Sequence, residues 1–218
     1  MDRAFYFDTL YPLQDRVLKV INTVETDFYL TGGTASSRGY LHHRFSDDLD
    51  LFVNDDPRFD LWTDRIVHAL ADSSNWRIDV IQKDARFARL SLLATEVVLK
   101  IELVNDVPSH LGEIRTHPVL GRMDSPENIL ANKVTAAIDR QEPKDLADIW
   151  GFCRLMGLPL DRALTDAHSK AAGLFPADLA RVLCSATRAD WEAVRWIEPP
   201  KPEDFVRDLR ELGERLIL

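Results

Sequence analysis

The chain has 218 residues, enough to bury a sizeable core in one large domain or two small ones. Its 36 Asp and Glu outweigh 27 Lys and Arg for a formal charge of −9, which excludes indiscriminate, salt-driven nucleic-acid binding but leaves room for a local basic groove. No apolar run is long enough to span a bilayer and Met1-Asp-Arg-Ala-Phe5 is not a secretory leader, so the expected location is the cytoplasm.

Leu10, Leu13, Val17, Val20, Ile21 and Val24 recur near helical spacing, so residues 8–24 read as an amphipathic helix that packs ahead of the first strand. Phe28 to Leu30 are β-formers that end at Thr31-Gly32-Gly33, where the backbone can bend sharply and bare its N–H groups. A helix beginning near Thr34 would aim its unpaired N–H groups and positive dipole end at the same place, which suits an anion such as phosphate. In Asp48-Leu49-Asp50-Leu51 polar and apolar residues alternate, so Asp48 and Asp50 share one strand face while Leu49 and Leu51 point to the core. Two strand residues rise about 6.6 Å and two Mg–oxygen bonds take up about 4 Å, so carboxylates leaning inward could share one ion.

Asn54-Asp55-Asp56-Pro57 is a turn, and Leu61, Ile66, Val67 and Leu70 give the following helix its buried stripe. Residues 76–82, 87–93 and 97–104 are apolar or β-branched runs joined by short polar breaks, which extends the sheet to about five strands. In the last of them Lys100 and Glu102 share a face opposite Ile101 and Leu103, making Glu102 a candidate third carboxylate, with Asp79 and Asp106 as competitors. From about Met123 the texture turns helical, and Ser125-Pro126-Glu127 is a good helix start. The expected organisation is a mixed α/β domain over residues 1–122 and a helical bundle over residues 123–218, with helices from Ser125 and near 146–156, 161–172, 176–187 and 202–216.

Cys153 and Cys184 lack a C-x-x-C spacing and read as buried thiols. His42 and His43 have no H-E-x-x-H partner, which speaks against zinc, and Ser46 has no triad context for hydrolysis. Trp62, Trp76, Trp150, Trp191 and Trp196 are expected in cores. A glycine turn, a helix, an Asp-x-Asp strand and a Glu on a later strand together form a layout for metal-assisted phosphoryl chemistry.

Thr31-Gly32-Gly33-Thr34 followed by His43-Arg44-x-Ser46-x-Asp48-Leu49-Asp50-Leu51-Phe52 resembles the signature of the AbiEii-type nucleotidyltransferase toxins, a branch of the DNA polymerase β-like nucleotidyltransferase superfamily. Asn132-Lys133 and Lys144-Asp145-Leu146-x-Asp148 look like that family's C-terminal motifs, so the resemblance spans residues 31–148. It implies a nucleotidyltransferase-like mixed sheet and a Mg²⁺-dependent enzyme, with Mn²⁺ as a substitute, that transfers a nucleoside monophosphate from an NTP. It also implies the toxin of a type IV toxin–antitoxin or abortive-infection pair, its antitoxin encoded nearby and needing no stable complex. Some members of the family modify the tRNA 3′ end and block translation. By the same resemblance Gly32, Gly33 and Thr34 hold the triphosphate, Ser46 lines the nucleotide pocket, Asp48 and Asp50 bind Mg²⁺, and Glu102 takes the position that helps activate the acceptor hydroxyl.

Arg44 is expected to contact phosphate or to brace the carboxylates. Lys133 flanks the apolar face of its helix and would neutralise leaving phosphates. Asp145 lies in a first helical turn, where an acid is favoured whether or not it is catalytic; the resemblance assigns it to the active site, orienting Lys133 or the base, with Asp148 as its structural partner and Arg140 sharing Lys133's face. The expected reaction is in-line attack on the α-phosphate of an NTP held with Mg²⁺ between the two domains. The acceptor, a tRNA end, would be reached through a groove using Arg38, Lys83, Arg86, Arg89 and Lys100. Transfer to a small molecule of the aminoglycoside type, transfer to a protein, and a non-catalytic nucleotide-binding module remain alternatives.

Overall fold

Apolar residues at Leu49, Leu51 and Val53 and at Leu99, Ile101 and Leu103 decide where the centre of the sheet lies, because each trio buries one strand face and leaves the intervening residues partly exposed. A computed structural model describes residues 3–73 and 75–218. The chain divides into two compact units, the first comprising the chain up to Ala35 with Ser46–Asp124, the second Ser36–Phe45 with Ser125–Leu218.

Among the described residues the first unit carries a seven-stranded sheet of β1 (Tyr29–Thr31), β2 (Leu49–Asn54), β3 (Arg77–Asp84), β4 (Phe87–Ala94), β5 (Val97–Asp106), β6 (Arg115–His117) and β7 (Gly121–Met123), in the order β3-β4-β5-β2-β1-β7-β6. β2 runs parallel to β5 and β1 parallel to β7, while the other neighbours are antiparallel. The sequence expectation of about five strands falls short by β6 and β7, each only three residues long and too brief to show a period. α1 (Tyr11–Ile21) follows a π-helical stretch, Phe5–Leu10, and ends three residues before the expected Val24. After β1 comes α2 (Gly32–Thr34), one α-helical turn that passes into π-helical geometry over Ala35–Leu41. α3 (Phe59–Ala71) packs on α1, burying Ile66 and Leu70 with Val17 and Leu18.

The second unit contains α4 (Pro126–Arg140), α5 (Pro143–Arg154), α6 (Leu160–Ala167), α7 (Pro176–Cys184), α8 (Arg188–Ala193) and α9 (Pro202–Glu214). Ser125 caps α4, its hydroxyl accepting from the Asn128 N–H at 3.0 Å, with Pro126 in the first turn where a missing N–H costs nothing. α8, absent from the sequence reading, is too short for a periodic stripe but carries a capping box between Thr187 and Asp190. α4 packs on α5 and α6, and α7 on α9, around Ile129, Val134, Ile149, Phe152, Leu179 and Phe205.

Residues 36–45, placed with the sheet by the sequence reading, belong to this helical unit. Their backbone is the reason: the Phe45 N–H donates to the Arg195 carbonyl at 2.7 Å, and the Ile197 N–H donates to the His43 carbonyl at 2.8 Å. Trp150 and Trp196 stack edge-on at 6.1 Å beside Phe205, and Trp62 is buried, whereas Trp76, Trp191 and Trp196 are only partly covered. The two cysteines are free and half-buried, short of the full burial expected, and burial still pushes the Cys153 thiol up to about 12. No helix among the described residues is long and apolar enough to cross a membrane.

Ile101 has no exposed surface and lies in the sheet between β2 and β4. Ile101→Ala should cost about 2–5 kcal/mol through lost burial and a residual cavity, read from the shift in the urea midpoint at constant m-value.

Candidate active site

The sheet pairing, more than sequence distance, brings the acids of the first unit together. Asp50 on β2 faces Glu102 on β5 across the parallel ladder and Thr31 on β1 across the antiparallel one. Asp48 lies two residues before Asp50, just ahead of β2. The competing acids fall elsewhere. Asp106 pairs with Asn54, about four residues or 13 Å farther along the ladder, and Asp79 is on β3, with β4 and β5 intervening before β2.

Cationic side chains already meet these carboxylates. The Lys100 ammonium is 2.9 Å from Asp48 Oδ2 and 3.3 Å from Glu102 Oε1, and Arg89 Nε donates to Glu102 Oε1 at 2.8 Å. The Lys100 ammonium is partly desolvated, but Asp48, Glu102 and Asp50 outweigh that and raise its pKa. Among the described residues no three His, Cys, Asp or Glu side chains are arranged to hold a metal ion as they stand. Asp48, Asp50 and Glu102, expected as a three-carboxylate metal set, are neighbours on the sheet, and an ammonium lies against two of them.

The glycine turn is shaped by Asp50. Gly32 has φ +64°, and a Cβ there would lie 2.2 Å from Asp50 Oδ2, so both the backbone conformation and the approach of the carboxylate require a residue without a side chain. Thr34, expected to grip the triphosphate, is fully buried, and its hydroxyl donates to the Asp48 carbonyl and lies 3.1 Å from Ser46 Oγ. Ser46 is itself buried, and Gln14 holds the next carbonyl, that of Asp47, at 2.8 Å. The two hydroxyls thus fix the segment that presents Asp48.

A separate charged cluster lies inside the second unit. Arg44 grips Asp148 in a bidentate pair, Nε to Oδ1 and Nη2 to Oδ2, both at 2.7 Å, and Nη1 donates to the Phe45 carbonyl. His43 Nε2 lies 3.0 Å from Asp148 Oδ1. The Lys133 ammonium bridges Asp145 and Asp148, 2.8 Å from each, and Arg140 reaches Asp145 at 2.8 Å. Asp145 and Asp148 have no exposed surface, and Lys133 and Arg44 are nearly as buried.

Burial disfavours each of these charges, and their mutual attraction reverses the effect. Desolvation would raise Asp148, but Arg44, Lys133 and His43 hold it well below the usual carboxylate range; Asp145 is likewise depressed by Lys133 and Arg140. Lys133 is desolvated too, yet Asp148 and Asp145 lift its pKa. For His43 burial wins over Asp148 and lowers the imidazole.

Arg44 therefore braces a carboxylate, and the ammonium of Lys133 is shared between two acids. Sequence reasoning missed the part played by His43 in this cluster, although its place directly before Arg44 was a usable signal. The cations expected to line an RNA groove have acidic neighbours. Lys83 pairs with Asp60 and Asp64, Arg86 with Asp55, and Arg89 and Lys100 with the site acids.

Solved structures share this fold. JHP933 from Helicobacter pylori aligns with 20% identity over 99% of this chain and 92% of its own, TM-score 0.65. The nucleotidyltransferase toxin MenT4 from Mycobacterium tuberculosis H37Rv aligns with 18% identity over 95% of this chain and 82% of its own, TM-score 0.65. No curated protein matches by sequence. The mixed sheet flanked by helices is the fold shared with these structures. The family model described as "Nucleotidyl transferase AbiEii toxin, Type IV TA system" matches residues 16–208, and the chain belongs to that family.

Two outcomes test this geometry. Gly32→Ala should cost about 1–2 kcal/mol from the left-handed backbone alone and displace the Asp50 carboxylate, so nucleotidyl transfer should fall further than the unfolding midpoint. Asp148→Asn leaves Arg44 and Lys133 inadequately paired and should cost about 3–5 kcal/mol in urea unfolding.

The pH dependence follows from the same cluster. His43, Asp145 and Asp148 have lowered pKa values in the fold, so the unfolded chain binds more protons and acid destabilises. Their stabilising contribution is complete above the unfolded values and should fall in two stages, below about pH 6.5 for the histidine and below about pH 4 for the carboxylates. Melting temperatures from pH 8 to pH 3 check this, with a shallower lower stage in Asp148→Asn.

Proposed function

We propose that the protein transfers a nucleoside monophosphate from an NTP to the 3′ end of tRNA, releasing pyrophosphate and halting translation, with Mg²⁺ held by Asp48, Asp50 and Glu102. The observation that carries this reading is the ladder that sets Glu102 beside Asp50, over a turn whose Gly32 leaves room only for the Asp50 carboxylate. The donors suit a hard divalent cation, since all three are carboxylate oxygens and two of them already attract a positive group. When bound, the ion supplies charge neutralisation of the triphosphate and polarises its α-phosphoryl oxygens.

The chain's own residues do the rest. Gly32 and Gly33 let the backbone approach the phosphates closely, and Thr34 and Ser46 act as positioning residues for Asp48. Glu102 orients the acceptor hydroxyl and takes its proton as the oxygen bonds to the α-phosphorus and the bond to the bridging oxygen of pyrophosphate breaks. The family resemblance assigns Lys133 and Asp145 to the same activity, and their ion pair keeps the Lys133 ammonium charged. The RNA acceptor is supported by the family resemblance; because Lys83, Arg86, Arg89 and Lys100 are paired with acids, RNA binding should show a shallow salt dependence. The partner implied by the family is an antitoxin, which we propose acts without a stable complex.

Incubating the protein with total RNA, Mg²⁺ and each radiolabelled NTP in turn should label RNA of tRNA size from one of them. Asp48→Ala should lower that labelling about 10³-fold or more, matching the several kcal/mol an ion contributes, with an unchanged circular dichroism spectrum. Full activity in Asp48→Ala would overturn the metal assignment, and label appearing only on protein or on a small molecule would overturn the RNA acceptor.

A further inference from the structure

Lys100 stands where its length and strand parity, not chance, put it. It precedes Glu102 by two residues on β5 and so shares its face, and because Leu49 pairs with Ile101, continuing the ladder by one residue brings Asp48 alongside Lys100. The ammonium meets both acids, at 2.9 Å and 3.3 Å, while Arg89 holds Glu102 from β4. The Lys100 and Asp48 side chains are 40% and 36% exposed, so water reaches the pair and the ammonium can leave without opening the core.

We propose that Lys100 is a built-in counter-cation for the metal-binding acids: it holds Asp48 and Glu102 together in the metal-free protein, must be displaced by the divalent ion, and thereby couples metal binding to nucleotide binding. The inference rests on the reading of Asp48 and Glu102 as metal ligands. Without a cation, acids clustered on adjoining strands repel one another. With the ion, the Lys100 ammonium and the Arg89 guanidinium all present, the positive charge exceeds that of the three carboxylates Asp48, Asp50 and Glu102. A triphosphate supplies the missing negative charge, to the ion and to the released ammonium together. Metal alone is therefore bound weakly, nucleotide alone is repelled by the acids, and each strengthens the binding of the other. Arg89 has no such role, because its guanidinium contacts Glu102 and not Asp48.

The test is a Mn²⁺ titration of the full chain followed by electron paramagnetic resonance, without nucleotide and with a non-hydrolysable NTP analogue. Lys100→Met should bind Mn²⁺ about tenfold or more tightly than wild type in the absence of nucleotide, since one positive charge within about 4 Å of the ion is gone. Lys100→Arg should stay weak. The analogue should tighten Mn²⁺ binding markedly in wild type and much less in Lys100→Met. In EDTA, Lys100→Met should melt below wild type and recover on addition of Mn²⁺, which confirms that the variant folds and shows the acids in want of a cation. If Lys100→Met binds Mn²⁺ no more tightly than wild type while Asp48→Asn abolishes binding in both backgrounds, the metal site stands and the role of Lys100 is refuted. If Asp48→Asn leaves Mn²⁺ binding intact, the metal reading itself fails and takes this inference with it.

Discussion

The pleat of β2 is the constraint on which the first unit depends. Leu49, Leu51 and Val53 are buried on one face, so Asp50 has to point the other way, and a slip of one residue would bury the acid and expose the leucines. The core thus enforces the polar arrangement without any polar interaction taking part. β5 obeys the same parity, which is why its parallel pairing with β2 delivers Glu102 and Lys100 to the face that carries the β2 acids. Gly32 yields to this frame: the carboxylate occupies the space a side chain would need, and the turn is left as bare backbone.

The second unit solves the problem of charge differently. Its acids are fully buried and locked by Arg44, His43, Lys133 and Arg140, whereas the sheet acids are partly exposed and meet cations that solvent can reach. Buried ion pairs rarely add net stability over a well-packed apolar core, because desolvation offsets their attraction. What this cluster provides is definition: the Lys133 ammonium and the 36–45 segment each have one position in which every carboxylate is matched.

Much of this was legible from the residues alone. Period-two alternation in 48–53 and 97–104 gave the faces of β2 and β5, and Ser125-Pro126 marked the start of α4 because capping is local chemistry. The strands β6 and β7 escaped notice because three residues hold no period. Partnerships were the larger gap. Arg44 read equally well as a phosphate ligand or a brace, and only the fold supplies Asp148, 104 residues away, as its partner. Lys100 read as part of a basic groove because a charge's meaning depends on the strand beside it, and pairing across a parallel ladder leaves no mark on the sequence.

The chain passes between the two units after Ala35, after Phe45 and after Asp124. They are interleaved rather than joined end to end, so no single break in the polypeptide yields both intact. A fragment beginning at Ser125 would keep Asp148 and Lys133 but lose Arg44 and His43, leaving a buried carboxylate short of its bidentate partner. Such a protein is not modular in the cut-and-paste sense. Its helical half can change by substitution, but transplanting that half onto another sheet means carrying along a ten-residue segment that lies, in sequence, inside the family signature.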